Sequence, residues 1–132
     1  MKQITTLQEY KETYQRSIEN PESFWAEVAE SFLWRKKWNH VLDWNFTEPK
    51  IKWFDGAECN MSENCLDRHL KTRGEQVAII WEPNDPNENF RTLTYNQLHE
   101  EVCRFANALI TIGINRGDRV CIYLPMMPEA AI

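Results

Sequence analysis

Val77-Ala-Ile-Ile-Trp81, Pro83-Asn-Asp-Pro-Asn-Glu-Asn89, Arg91-Thr-Leu93 and the patterned run that follows to Ile112 decide the fold class. The first segment is short, apolar and rich in β-branched residues, with polar residues on both sides, and reads as a buried strand. The second holds two prolines and three asparagines, which leave nothing to continue a ladder, so the chain turns there. Arg91-Thr-Leu93 then reads as a short return strand. Thr94 is placed to cap a helix, with Gln97 three positions on to complete a capping box. Leu98, Val102, Phe105, Leu109 and Ile112 follow at spacings of 4, 3, 4 and 3, one apolar stripe suited to packing on a sheet. Gly113 stands where a left-handed C-cap belongs.

Beyond Asn115-Arg-Gly-Asp118, the run Val120-Cys-Ile-Tyr-Leu124 reads as a second buried strand, and Pro125-Met-Met-Pro128-Glu129 opens another helix. A helix between two buried strands is long enough to be a crossover, which places its flanking strands parallel in one sheet. The fold class expected is therefore α/β. The final helix has too few residues to form a stable turn by itself, so the sequence reads as the front of a longer protein.

Working back toward the N-terminus, Leu7 to Ile18 is a polar helix with a thin apolar side (Leu7, Tyr10, Tyr14, Ile18). Asn20-Pro21-Glu22 is a second helix start, followed by Phe24, Trp25, Val28, Ala29 and Phe32 on one side. From Leu33 to Phe54 no helical or strand period is sustained, although Trp34, Trp38, Trp44, Trp53, Phe46 and Phe54 crowd it. Such a stretch reads as an aromatic strap anchoring the chain across a domain, since large rings bury much area per residue ordered. Within it, Val41–Trp44 and Ile51–Trp53 each suit a short edge strand. Asp55-Gly56 is a turn. Asn60 or Ser62 caps a further helix whose inward side is Cys65, Leu66, His69 and Leu70, ending at Gly74.

Composition narrows the function classes. A net charge of −5 with scattered Lys and Arg argues against nucleic acid or an anionic membrane surface as partner. Stacking of the strap's rings on a nucleobase would need an interleaved basic stripe, which is missing. No apolar run approaches the ~20 residues needed to span a bilayer, and Met1-Lys-Gln-Ile-Thr-Thr6 lacks the apolar core of a secretory signal. The four cysteines, 59, 65, 103 and 121, sit in apolar or helical patterns without a signal, so reduced thiols and a cytoplasmic location are expected.

Candidate chemistry is sparse. Cys59, Cys65 and His69 come closest to a metal constellation, but a fourth ligand is missing and the spacing is not that of a CxxC knuckle. Buried thiols beside a backbone-bonded histidine account for them better. His99 and Cys103 repeat the pattern. A Cys–His nucleophile would need an exposed thiol and an orienting third group that the sequence does not supply, so core packing is expected there too. Phosphate cradles need closely spaced glycines; Gly56, Gly74, Gly113 and Gly117 each have a turn or cap role instead. Glu100 and Glu101 are adjacent on a helix, where they diverge toward solvent. No catalytic, cofactor-binding or metal-ligating residue is expected in this chain.

Several segments taken together carry a resemblance. Trp53-Phe-Asp-Gly56, Asn64-Cys-Leu-Asp-Arg-His-Leu70, Val77-Ala-Ile-Ile-Trp-Glu82 and Thr94-Tyr-Asn-Gln-Leu-His99 come first. Glu101-Val-Cys-Arg-Phe-Ala-Asn-Ala-Leu109, Gly117-Asp-Arg-Val120 and Ile122-Tyr-Leu-Pro-Met-Met-Pro-Glu-Ala130 complete the series. In order and spacing the chain resembles the N-terminal part of AMP-forming acetyl-CoA synthetases, in the acyl-adenylate-forming superfamily. Cys59, where that family carries an apolar residue, and the loop 83–89 are the departures.

The resemblance implies an accessory module over residues 1–55 and the incomplete start of an AMP-binding, adenylating domain over 56–132. It implies a parent ligase that uses ATP, Mg²⁺ and CoA to turn acetate into acetyl-CoA, AMP and pyrophosphate, with its site residues downstream of Ile132. This piece is then an inactive scaffold that binds no cofactor and self-associates through uncovered apolar surface. Alternative expectations are a fragment of a ligase for propionate or another short acid, and a non-catalytic interaction module.

Overall fold

A computed structural model describes residues 3–132, so Met1 and Lys2 of the polar N-terminal stretch lie outside the described residues. The chain divides into two compact units, one running to Asn64 and the other covering Cys65–Ile132.

The first unit opens with helix α1 (Leu7–Glu19). Thr6 caps it in a complete capping box, accepting from the Glu9 amide while Glu9 Oε2 accepts from the Thr6 amide at 3.1 Å. Helix α2 (Pro21–Ala29) starts at Asn20 with proline in its first position, as the sequence predicts, and buries Phe24 and Ala29. Strands β1 (His40–Asn45) and β2 (Lys50–Asp55) form an antiparallel hairpin pairing His40 with Asp55 and Asn45 with Lys50. Asn45 Oδ1 shapes its turn by accepting from the amides of Thr47 (2.9 Å) and Glu48 (3.2 Å). Residues 40–55 of the aromatic stretch are therefore a hairpin containing both expected edge strands, while residues 33–39 stay irregular apart from the isolated Lys36–Glu58 bridge.

A cluster of rings holds the base of this hairpin. Trp34, Trp38 and Phe54 pack with centroids 5.2–5.4 Å apart, largely edge to face. Phe54 adopts φ +49°, the one non-glycine residue in the left-handed region among the described residues. A bulky side chain reaches that region only where its surroundings hold it, and here three tryptophan rings do so.

The stretch from Met61 to Arg73 is helical, with Asn60 as its cap: Asn60 Oδ1 accepts from the Glu63 amide at 3.2 Å. Its Glu63–Asp67 portion is π-helical and its Arg68–Arg73 portion is α3. The wider π turn advances the side chains out of α-helical phase. Leu66 is buried and His69 and Leu70 are half-buried as expected, but Cys65 is exposed and not on the inward side.

In the second unit, β3 (Val77–Trp81) and β4 (Arg91–Thr94) pair antiparallel. Helix α4 (Tyr95–Thr111) follows directly, with the Thr94–Gln97 capping box formed in both directions. The amides of Tyr95 and Asn96 donate to Gln76 O (3.1 Å) and Gly74 O (3.0 Å), so the helix start is tied to the turn before β3. Gly113 has φ +92°, the left-handed cap the sequence called for. Gly74 ends α3 with φ −51°; it is glycine for a different reason, because a Cβ there would lie 2.6 Å from Asn96 Nδ2 and 2.7 Å from Leu70 O.

The expected second strand does not form. Residues 119–125 have no regular secondary structure and join no ladder, so the parallel crossover is not completed among the described residues. Val120 and Ile122 are exposed and Tyr123 is 98% accessible. Apolar β-branched residues favour a strand only when a neighbouring strand receives their amides and carbonyls. The segment is held at one end instead: Trp81 Nε1 donates to Met126 O at 2.8 Å, and Arg91 pairs with Glu129 at 3.0 Å. One 3₁₀ turn, Pro128–Ala130, closes the chain where the sequence suggests a helix start.

Candidate functional site

No described helix is long and apolar enough to cross a membrane. Among the described residues, no three His, Cys, Asp or Glu side chains are grouped to hold a metal ion, and Cys59, Cys65 and His69 are not brought together as ligands. All four cysteines are free and exposed, which corrects the expectation of buried thiols. The π turn accounts for Cys65 as described above; on α4, Cys103 falls one position beyond the Leu98–Val102 stripe and so faces outward.

His99 and Cys103 do more than pack. Cys103 Sγ lies 3.5 Å from His99 Nε2 and 3.9 Å from Nδ1, and His99 Nε2 lies 3.3 Å from Asp67 Oδ1. The sulfur is nearer to Nε2, the nitrogen that faces Asp67, than to Nδ1, so thiol and carboxylate do not stand on opposite nitrogens of the ring. Asp67 stands 32 positions from His99, on the π-helical turn, where no motif spacing signals it. Glu100 and Glu101 are both claimed by Arg104, at 3.1 Å and 2.9 Å, as solvated helix-face pairs.

Each unit carries one largely apolar concave surface among its described residues. The first, of about 330 Å³, is walled by Trp25, Val28, Phe32, Trp34, Phe54 and Met61. No charged side chain lines it, and the Asn64 amide at its edge is engaged with Leu33 N (2.7 Å) and Leu33 O (2.9 Å). It can receive an apolar group but offers no acid, base or nucleophile beyond the Cys59 thiol. Close to it, Arg35 Nε donates to both Glu63 oxygens at 3.1 and 3.2 Å, and this hydrogen bond holds the Glu63 carboxyl below the usual carboxylate range. The second surface, of about 410 Å³, lies between α4 and the C-terminal segment and is lined by Phe105, Ala108, Leu124 and Ile132 with Glu101, Arg104 and Glu129. The Glu129 carboxyl is also held low, first by its own backbone amide and then by Arg91. Neither surface is lined by glycines that could form a phosphate cradle.

Comparison with known proteins decides what this scaffold is. The family described as AMP-binding enzyme matches residues 66–132, and the one described as Acetyl-coenzyme A synthetase N-terminus matches residues 10–65. The chain belongs to the AMP-binding enzyme family. It is 53% identical over 128 residues, 96% of its length, to an acetyl-coenzyme A synthetase of Alkalilimnicola ehrlichii. It is likewise 53% identical over 125 residues, 93% of its length, to an acetyl-coenzyme A synthetase of Vibrio cholerae. These stretches are 20% and 19% of those relatives, so the chain spans about a fifth of the length of the curated AMP-binding enzymes it matches. Among solved structures, an acetoacetyl-CoA synthetase from Streptomyces lividans superposes with a TM-score of 0.79 at 30% identity, covering 88% of this chain and 18% of that one.

Proposed function

We propose that this chain is the N-terminal part of an AMP-forming acetate–CoA ligase. The observation that carries the reading is the unbroken succession of the two family matches, 10–65 and 66–132, at about half identity to acetyl-coenzyme A synthetases along nearly the whole chain. In the proposed reaction an acetate oxygen attacks the α-phosphorus of ATP, giving acetyl-adenylate and pyrophosphate. The CoA thiol then attacks the acyl carbon and AMP leaves. Such chemistry requires donors and cations around developing phosphate charge, including Mg²⁺.

This chain contributes scaffold: residues 1–55 as an accessory module and 56–132 as the start of the adenylating domain. No catalytic, nucleotide-binding, CoA-binding or metal-ligating residue is assigned to it, and the ligand contacts are placed in the remainder of the parent protein. The partners of the parent are acetate, ATP and CoA, in the cytoplasm, with no nucleic acid or membrane involved. Taken alone, the chain self-associates through its uncovered apolar surface, since Ile80, Phe105, Ile112 and Ile122 are each between 48% and 74% exposed.

A second reading, ligation of another short acid such as propionate, draws support from the likeness to a synthetase named for acetoacetate. The test is CoA-thioester formation by the full-length parent with each acid in turn. Preference for acetate supports the first reading; preference for a longer acid supports the second.

A further inference from the structure

The β1–β2 hairpin has two unlike faces. Burial does not alternate along it, but side-chain character does: Leu42 pairs with Trp53 and Trp44 with Ile51, so these four share one face. Asp43, Asn45, Lys50 and Lys52 share the other. On the apolar face Trp44 is 59% and Ile51 70% exposed, and Trp53 is exposed as well. The surface continues through the edge contact of Trp53 with Trp25, ring centroids 6.2 Å apart, into the concavity of about 330 Å³ walled by Phe32, Trp34, Phe54 and Met61. A single exposed ring needs no explanation, whereas a connected aromatic surface with a hollow in it marks an interface. The charged groups beside it in the chain are already paired within the same unit: Arg35 with Glu63, Lys37 with Glu30 and Asp43 with Lys50. A covering surface therefore needs apolar groups and no complementary charge, which is the character of a permanent interface and not of a transient one.

We propose that this surface is where the accessory module docks on the remainder of the parent ligase. The remainder supplies an apolar segment that lies on the Trp44–Ile51 face and an apolar side chain that fills the hollow. The inference rests on the reading of the chain as part of a longer ligase. The chain matches 20% and 19% of two relatives, which leaves about four-fifths of each to provide the cover.

The test places Ile51→Lys and Trp44→Lys in the full-length parent and in the 132-residue chain, with Lys52→Gln on the opposite face as the control. In the 132-residue chain both positions are open, so each variant, diluted until monomeric, should melt as the unsubstituted chain does. In the parent, a lysine pressed unpaired into an apolar contact should lower the first melting transition by roughly 5 °C or more, while Lys52→Gln leaves it unchanged. Sedimentation of the parent should give the same mass with and without the substitutions. Equal melts for all variants of the parent overturn the proposal. An equal loss in both chains also overturns it, because the cover then lies within residues 1–132. Dissociation of the parent into a smaller species by Ile51→Lys overturns it in favour of a second copy. Acetate-dependent exchange of pyrophosphate into ATP by the unsubstituted parent is read alongside: exchange with equal melts refutes the docking surface alone, and no exchange refutes the ligase reading.

Discussion

Gly74→Ala tests whether the join between α3 and α4 is as close as the structure places it. The substituted methyl group would meet Asn96 Nδ2 at 2.6 Å, Leu70 O at 2.7 Å and Asn96 Oδ1 at 2.8 Å. The Asn96 amide is not free to swing aside without loss, since its Nδ2 donates to Glu75 Oε1 at 2.7 Å. Leu70 O is backbone and can move only with the end of α3. The same glycine accepts the Asn96 amide hydrogen bond at 3.0 Å, so any shift of its carbonyl loosens the start of α4. Forcing a methyl group into a filled site costs about 1–3 kcal/mol. The reduced freedom of alanine in the unfolded chain returns about 0.4–1 kcal/mol, because φ −51° suits alanine as well as glycine. The expected net is a loss of about 1–2 kcal/mol, read from urea unfolding followed by the helix signal. Gly74→Ala paired with Asn96→Ala should recover part of the loss, because two of the three contacts disappear. A gain in stability for Gly74→Ala would refute the reasoning, since it would mean the site is open.

Other consequences are equally direct. Thr94→Ala removes the acceptor of the Gln97 amide and should cost about 1 kcal/mol of unfolding free energy, in the same urea assay. Leu98→Ala, at the buried centre of the α4 stripe, should cost about 2–5 kcal/mol and abolish cooperative melting of the second unit. The folded-state carboxyl of Glu63 titrates below its ordinary range because of Arg35, so its stabilisation is complete above the unfolded carboxylate range and disappears as pH falls through the folded value. Arg35→Gln should therefore flatten the acid limb of the unfolding midpoint against pH; an unchanged limb would count against the pair. Sedimentation of the chain should show mass rising with concentration, and a monomer across the range would contradict self-association.

The reading of the sequence succeeded where a local signal settles a local structure. The Thr94–Gln97 capping box, the Asn20–Pro21 helix start and the left-handed Gly113 are decided within a few residues of themselves, and they stand as read. The β1–β2 hairpin was only half legible because its faces do not alternate: just Val41 of twelve strand positions is buried, so no period of two marks it. Residues 120–124 fail for the converse reason. Their composition fits a strand, but a ladder depends on a neighbour, and the other edge of β3 has none among the described residues. Cys65 was misplaced by a π turn that no residue type announces. The Asp67–His99 contact joins two elements and so has no local signal, and the cap role expected of Gly74 does not announce its contact with Asn96.

The most direct test of the proposed function is acetate-dependent exchange of pyrophosphate into ATP, run on this chain and on the full-length parent side by side. The account predicts exchange by the longer protein and none by the 132-residue chain. Exchange by the chain alone would contradict the assignment of the site to the remainder, and no exchange by the parent with acetate, propionate or butyrate would contradict the ligase itself.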